Sequence, residues 1–504
     1  MIEIPFCGAS YEMDSIDISS QKTVNLYPET YQDGNTKTVM ALRPTAGTTF
    51  KALGTGGGLV PIQRGFHLAS NGKFFASYGT TVALYDGETD FSPISEGFVL
   101  QTGTSPSNNT RVRMADSLDT SDKVNMLVVD GSNTGYIINT TDNIPGFDNL
   151  HLWSSVGPSD NYPGGTHVAQ IDGYFIVNIP NTLKAGFSAI NDATSWGALD
   201  TITKEGKTDN ITALIAHNGR LLMMGNQSYE WFQTTGNTTN PFLRISGTNK
   251  NIGIEAPDSL AENGNAVFWL GSSLQGFGKI YMSQGFDARA ISTIPIERAI
   301  QGYTSTTDAE AFCFQEDGHD FYQITFPTDN KTWVYDTTTG LWHERSYRDP
   351  NMGTALRHRA RVQGFFGGVN YFGDFENEAV YASESTVYTD DNGSASNDPI
   401  LRTRTSPVIW NALERIYYDT FQVDVEVGQG LGTGQGSDPM CMLRWSKDGG
   451  YTFTDKRYES LGKIGKYRTR VRWERLGTDR ERVWELTCSD PIPFTILNAF
   501  VELG

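Results

Sequence analysis

Short apolar runs alternate with polar turns along most of the chain. The stretch "SNGKFFASYGTTVALYDG" (70–87) shows the unit: a Gly-containing turn, an apolar run, a short gap, then a run carrying a tyrosine. The same order returns in "KVNMLVVDGSNTGYIIN" from Lys123, "IDGYFIVNIPNTLKAGFSAI" from Ile171 and "HNGRLLMMGNQSYEWFQT" from His217. It returns again in "ENGNAVFWLGSS" from Glu262, "EDGHDFYQITFPTDNKTWVYDTTTG" from Glu316 and "QGFFGGVNYFGDFENEAVYAS" from Gln363. Aligning the aromatic of each second run gives Tyr85, Tyr136, Phe187, Trp231, Tyr281, Tyr335 and Tyr381, in steps of 51, 51, 44, 50, 54 and 46 residues. Strand pairs recurring at about 40–50 residues are the signature of a β-propeller. A small twisted sheet cannot bury both faces alone, so it stacks on its neighbours, and closing the ring removes the last exposed face. The pattern predicts an all-β fold with a propeller of about seven blades, six being the alternative count. A plain series of β-hairpin domains is the competing architecture.

The repeat ends near Ser383. The run "TDDNGSASNDP" (389–399) is nearly free of apolar residues and reads as a linker or exposed loop. After it, "FQVDVEVGQG" alternates apolar and polar at period two, the mark of a half-buried strand. "MCMLRWS", "KYRTRVRWERLG", "RVWELTCSDP" and "ILNAFVELG" read as further strands, and "GQGLGTGQGSDP" (428–439) as a flexible loop. The predicted organisation is an N-terminal arm at 1–55, a propeller at 56–388, and a linker with a sandwich-like C-terminal β domain at 389–504. The arm precedes the repeats and is expected to reach a neighbour or to close the ring.

Composition agrees with this picture. Of the 504 residues 38% are apolar and only 19% charged, and 53 are glycine, which suits short strands and turns better than long helices. The formal net charge of −19 argues against non-specific nucleic-acid binding, because such a surface repels phosphate. Cys7, Cys313, Cys441 and Cys488 are scattered and form no C-x-x-C pair. They read as small buried apolar residues of a reducing cytosol rather than as disulfide partners. The start "MIEIPFCGASYEMDSIDISSQ" lacks a basic segment followed by an apolar one, and no apolar run approaches the ~20 residues that span a bilayer. The expectation is a soluble protein made in the cytosol, without a membrane partner.

Several segments, read in order, resemble a known phage family. They are "TVNLYP" (23–28), "LRPTAGT" (42–48), "IDGYFIV", "NDATSWGALD" (191–200), "SYEWF", "FWLG", "ISTIPIERAI" (291–300), "EDGHDFYQITFP" and "TWVYDTTTGLWHER" (332–345). With "LRWSKDGGYTF" and "RVRWERLGTDRERVWELTCSDP" near the C-terminus, they closely resemble the packaged-DNA stabilisation proteins of short-tailed, podovirus-like phages, also called tail accessory factors or tail hubs. The resemblance is weakest at roughly 90–160 and at 428–439. It implies a virion structural protein without cofactor, assembled in the host cytoplasm as a ring, expected to be a hexamer. It implies a place below the portal and its adaptor, closure of the DNA channel after packaging, and docking of a tail needle or plug and of tailspikes or fibres. DNA would pass close by without being held.

Candidate chemistry was weighed against that reading. "SKDGGYTF" (446–453) resembles the Asp-box turn of sialidases, which raises a carbohydrate-active propeller, glycosidase or lectin, as the alternative function. That turn uses its Asp to accept backbone N–H groups and its Gly to turn tightly, and needs no catalysis. A glycosidase would need two carboxylates about 5 to 10 Å apart. "EDGHD" (316–320) gathers Glu316, Asp317, His319 and Asp320, but Asp-Gly is a hairpin signal and a strand follows. The seven histidines form no H-x-x-x-H or H-E-x-x-H, no G-x-S-x-G elbow occurs, and "GTGGGL" (54–59) lacks the ending of a phosphate loop. His343 in "GLWHER" reads as a hydrogen-bonded, partly buried imidazole. No catalytic, cofactor or metal residue is assigned. One basic cluster stands against the acidic background, "GKIGKYRTRVRWERLGTDRER" (462–482). Arg468, Arg470 and Arg472 alternate as if on one strand face and, with Arg475, are the candidate protein interface, since Arg beside Trp and Tyr is the residue mix of interface anchors. "RHRARVQG" (357–364) is a smaller cluster of the same kind.

Overall fold

The computed structural model describes residues 1–31, 38–53, 62–85, 91–93, 110–141, 152–348, 354–391, 397–412 and 414–504. Seven antiparallel blades of four or five strands are found among them, five as separate sheets, one within a ten-stranded sheet and one within a six-stranded sheet. Six are built from continuous segments: 63–93, 113–156, 168–203, 211–244, 253–290 and 310–344. The seventh takes three strands from 360–384 and its fourth, Gly47–Leu53, from the other end of the chain. First strands pack beside one another around most of the ring, the fifth blade joining through Gly253–Ile254 against Arg220–Gly225 and through Ala261–Glu262 against Glu310–Glu316, and Ala360–Phe366 of the seventh lies against Gln63–Leu68 of the first. The ring is therefore closed.

The recurring aromatics explain the period. Each of the seven lies on the third strand of its sheet. Six are buried, and the seventh, half-buried Tyr281, stacks on Trp269 with ring centroids 5.9 Å apart. They fill the space between blades, so each sheet holds the next. The quoted turns supply the strand reversal. Asp172–Gly173, Asn218–Gly219, Asp317–Gly318 and Gly367–Gly368 all have φ between 48° and 85° at both central residues. That is the two-residue hairpin whose backbone twist matches the flanking strands.

The C-terminal unit is a sandwich. One layer contains Ile416–Val425, Val471–Asp479 and Ile496–Leu503, and the other contains Arg402–Thr405, Met440–Ser446, Arg457–Ser460 and Glu481–Cys488. Between them sit Tyr418, Phe421, Trp473, Trp484, Cys441 and Cys488. The Gly-rich stretch 428–439, expected to be a flexible loop, is folded back on the unit. The Leu431 N–H donates to the Gly436 carbonyl (2.7 Å) and the Gly428 N–H to the Leu461 carbonyl (3.0 Å). The ends of the predicted linker pair with each other as Thr389–Asp391 and Asn397–Pro399, and Asp390 aligns with Thr48 of the ring-closing strand.

The N-terminal segment is part of this chain's own fold. Ile2–Ile4 pairs with Ile496–Leu503, and the hairpin of Leu26–Thr30 and Met40–Pro44 extends the same sandwich layer. Thr23–Val24 lies between Leu341–Glu344 of the sixth blade and Arg402–Thr405 of the sandwich, joining both into one ten-stranded sheet. Asn25, at φ 53°, pins that junction. Its Nδ2 donates to the carbonyls of Ser346 (2.9 Å) and Leu401 (3.0 Å), and its Oδ1 accepts the Ser346 N–H (2.9 Å). One asparagine thus satisfies backbone groups of both units at a place where sheet hydrogen bonding cannot. The first fifty residues hold propeller and sandwich together, and the ring that Gly47–Leu53 closes is the propeller's own.

Candidate functional site: the Arg-rich lobe and the propeller axis

The Arg-rich segment divides differently from the expectation. Its strand begins only at Val471, so Arg472 and Arg475 lie on Val471–Asp479, whereas Arg468 and Arg470 lie in the preceding turns. Gly462 and Gly465, with φ of 85° and 81°, reverse the chain there. The single strand face proposed for Arg468, Arg470 and Arg472 is therefore corrected to a lobe plus a strand. Arg475 has a φ of 58°, and the pairing of Ile416–Val425 with Val471–Asp479 shifts register nearby. All four arginines are exposed. Arg472 is held 2.6 Å from Glu474, an exposed pair worth little stability. The lobe also exposes Lys463, Lys466, Ile464 (66%) and Tyr467 (67%). Cations around two exposed apolar side chains, on a chain of net charge −19, form a surface suited to an acidic partner.

A second basic concentration, at the propeller axis, is not readable as a sequence cluster. Residues of all seven blades, on or flanking the first strand in six of them, line an axial cavity of about 310 Å³ that includes Arg64, Arg111, Arg113, His167 and Cys313. Arg111 reaches across it. Its Nη1 donates to the carbonyls of Ala311 (2.8 Å) and Asp258 (3.3 Å), and its Nη2 to the carbonyl of Arg361 (2.5 Å). Arg113 pairs with Asp258 (2.5 Å) and Arg361 with Glu310 (2.9 Å). Asp258 lines a second cavity of about 330 Å³ beside the first, together with Arg111, Arg113 and His167. Burial would raise its carboxyl, but Arg113 and Arg111 outweigh that and hold it at about 2. Burial, with Arg113 beside it, pushes His167 well below the ordinary imidazole value. These guanidiniums are committed to carbonyls and carboxylates, so they tie the blades together across the axis. A cavity of this size suits a small molecule, and a nucleic-acid duplex cannot enter it.

The other candidate residues have structural roles. In the Asp-box, Asp448 accepts the Thr452 N–H (2.9 Å) and hydroxyl (2.5 Å) and the Ser446 hydroxyl (2.5 Å), and Ser446 Oγ accepts the Gly450 N–H (2.8 Å). These bonds hold its carboxyl far below the usual range. The loop around Ile16 and Asp17 lies on the turn, where a Cβ on Gly449 would sit 2.1 Å from Asp17 Oδ1. Asp317 and Gly318 form a hairpin turn, and His319 Nδ1 lies 2.8 Å from Asp336, which raises its pKa. His343 corrects its expectation. It is wholly buried rather than partly, and neither ring nitrogen has a hydrogen-bond partner among the described residues. Burial pushes it well below its ordinary value, so it sits as a neutral ring beside Tyr27 and Phe321. In the smaller basic cluster, Arg357 stacks on Phe375 (3.6 Å), Arg359 pairs with Asp374 (2.7 Å), and Arg361 pairs with Glu310. His151, the turn after Tyr85 and the Gly-rich run 54–59 lie outside the described residues. Among the described residues no three His, Cys, Asp or Glu side chains gather as a metal site, and no helix is long and apolar enough to cross a membrane.

Fold and surfaces together define a two-unit β protein: a seven-bladed propeller whose closing strand and sandwich are shared between the two ends of one chain. Residues 2–388 match the family model described as bacteriophage P22 Gp10, β-propeller, and residues 402–504 the one described as bacteriophage P22 Gp10, β-sandwich. The chain belongs to this family of phage structural proteins. No curated protein sequence matches it. Among solved structures it is similar to the extracellular domain of BT4673 from B. thetaiotaomicron (10% identity, TM-score 0.43, covering 82% of this chain and 47% of that one). It is also similar to Raptor of Chaetomium thermophilum (9%, 0.40, 68% and 30%) and to BamB of Moraxella catarrhalis (9%, 0.36, 71% and 94%). The chain spans under half the length of the first two.

Proposed function

We propose that this protein is the tail hub of a short-tailed phage. Copies form a ring, six by expectation, below the portal and its adaptor, close the DNA channel once the head is full, and offer docking surfaces to a needle or plug and to tailspikes or fibres. It performs no reaction, is assembled in the host cytoplasm and ends in the virion tail. The observation that carries this reading is the match to one phage structural family over both units of the chain. The propeller axis, too narrow for a duplex, is compatible with it if DNA passes between copies and not through a propeller.

Phage assembled without this protein are expected to fill their heads and then lose the genome. Nuclease-sensitive DNA released from particles measures this, and stable filled heads would contradict the plug role. Arg468, Arg470, Arg472 and Arg475 are proposed to meet an acidic neighbouring subunit. Changing Arg468, Arg470 and Arg472 together to Glu is expected to weaken attachment of that subunit at least tenfold, with unchanged thermal unfolding because all three are exposed. Sedimentation of purified protein and of tail particles reads both. Unaltered assembly would remove this lobe from the interface.

A further inference from the structure

The two thiols of the sandwich core are placed as a pair. Cys441 and Cys488 are 47 positions apart in sequence, yet they are directly opposed on the antiparallel strands Met440–Ser446 and Glu481–Cys488. Opposed residues of such a pair project from the same face. Here that face is the core side. Leu443 opposes Leu486 and Trp445 opposes Trp484, two and four residues along, and all four belong to the core. Both cysteines are wholly buried and both are free thiols. Opposed Cα atoms lie ~4.5 or ~5.5 Å apart, inside the range of ~4.4–6.8 Å found across disulfides. Their Cβ atoms need approach by only about 1 Å.

We propose that Cys441 and Cys488 are a latent cross-strand disulfide, open in the reducing cytosol and closed after the protein meets an oxidising surrounding. The oxidant is a small-molecule disulfide. One cysteine thiolate attacks it, forming a mixed disulfide and releasing one small thiol. The second cysteine loses its proton, attacks the protein sulfur of that mixed disulfide and expels the other small thiol. Two protein thiols are oxidised, one disulfide is reduced to two thiols, and the protons lost by the cysteines end on the released thiols. The bond closes a loop over 442–487, which contains the Asp-box and the Arg-rich lobe, and so restrains the unfolded chain. Burial pushes Cys488 up to about 11 and Cys441 well above its ordinary value, so thiolate is scarce and the reaction is slow until the strands open locally. The chemistry does not depend on the tail-hub reading, whereas its occasion, a virion leaving the cell, does.

The test uses the full chain incubated with oxidised glutathione at several urea concentrations below the unfolding transition, so that access is not limiting. It is then quenched in acid, and its thiols are counted in denaturant. Free thiols are expected to fall from four to two per chain. Peptide mapping is expected to join Cys441 to Cys488, and the thermal midpoint to rise until reductant reverses it. The Cys441→Ser chain should form no internal disulfide, and the wild-type map stands even if that variant folds poorly. Retention of all four thiols across the series, or pairing of either cysteine with Cys7, would overturn the assignment. Genome retention by particles carrying Cys441→Ser reads the hub role separately, since it can succeed or fail whichever way the thiols react.

Discussion

Replacing Arg404 by Met is expected to lower the unfolding free energy by about 3 kcal/mol or more, and to expose residues 1–24 to protease before any other part of the chain. Arg404 is wholly buried on Arg402–Thr405 and has no carboxylate among its hydrogen-bond partners in the described residues. Its Nε donates to the Phe6 carbonyl (2.5 Å), its Nη1 to the Ala9 carbonyl (3.0 Å) and the Thr23 hydroxyl (2.7 Å), and its Nη2 to Gln21 Oε1 (2.9 Å). Burial disfavours the charge and lowers the group to about 10, so removing the guanidinium relieves a real cost. The relief is smaller than the loss. Four acceptors lose their donor, and the two that are buried, the Phe6 carbonyl and the Thr23 hydroxyl, each cost ~1–3 kcal/mol. Arg404→Lys keeps the charge with fewer donors and a different shape, and is expected to fall between. Urea unfolding gives the energies, and hydrogen exchange at residues 1–24 gives the order of opening. A wild-type value for Arg404→Met would mean that the N-terminal segment is held by its sheet pairing alone.

That segment marks the limit of what is legible in the sequence. The seven aromatics are legible because each blade repeats one local pattern, and a hairpin's partner lies within about twenty residues. The same holds for Ile416–Val425, where the alternation of "FQVDV" follows from one buried face. The partner of Gly47–Leu53 is Ala379–Glu384, more than three hundred residues away, and nothing in "GTTFKAL" announces it. Thr23–Val24 is a two-residue strand that bridges two units, too short for any periodicity. The surface was legible in part. Arg density located the lobe at 462–482, but alternation of Arg468, Arg470 and Arg472 imitated a strand where Gly462 and Gly465 make turns. Arg111 and Arg113 were hidden for the opposite reason. Two arginines at the start of an ordinary strand carry no signal until ring closure brings Asp258, Ala311 and Arg361 to the same axis. His343 shows the remaining gap: its environment is set by Tyr27, from the N-terminal segment, and by Phe321, two strands away in its own blade.

The seam between the third and fourth blades supplies the other large expected effect. Asp209→Ala is expected to cost about 3–5 kcal/mol, because it strands Lys204 as an uncompensated buried cation. Lys204 is wholly buried and donates to Asp209 and to Ser228 Oγ (2.7 Å). Asp209 also accepts the backbone N–H groups of Gln227 (2.9 Å) and Ser228 (3.0 Å) and the Ser228 hydroxyl (2.8 Å). Lys204→Met leaves those three donors on the carboxylate, so its cost should be smaller, about 1–3 kcal/mol. Removing both partners should cost less than the sum, with a coupling of about 1–3 kcal/mol. The pH dependence follows from the same contacts. Burial would raise the Asp209 carboxyl, but Lys204 and the surrounding N–H and O–H donors outweigh it, and its pKa lies below the ordinary value. A carboxyl depressed on folding stabilises the protein above its unfolded pKa of ~3.9, and that stabilisation drains as pH falls through the folded value. Wild type should therefore lose stability below about pH 4 more steeply than Asp209→Ala does. Urea unfolding of the four chains of this cycle between pH 3 and 7 measures both. Equal acid slopes together with a small single-variant cost would mean that water enters the seam and that the blades are joined there by packing alone.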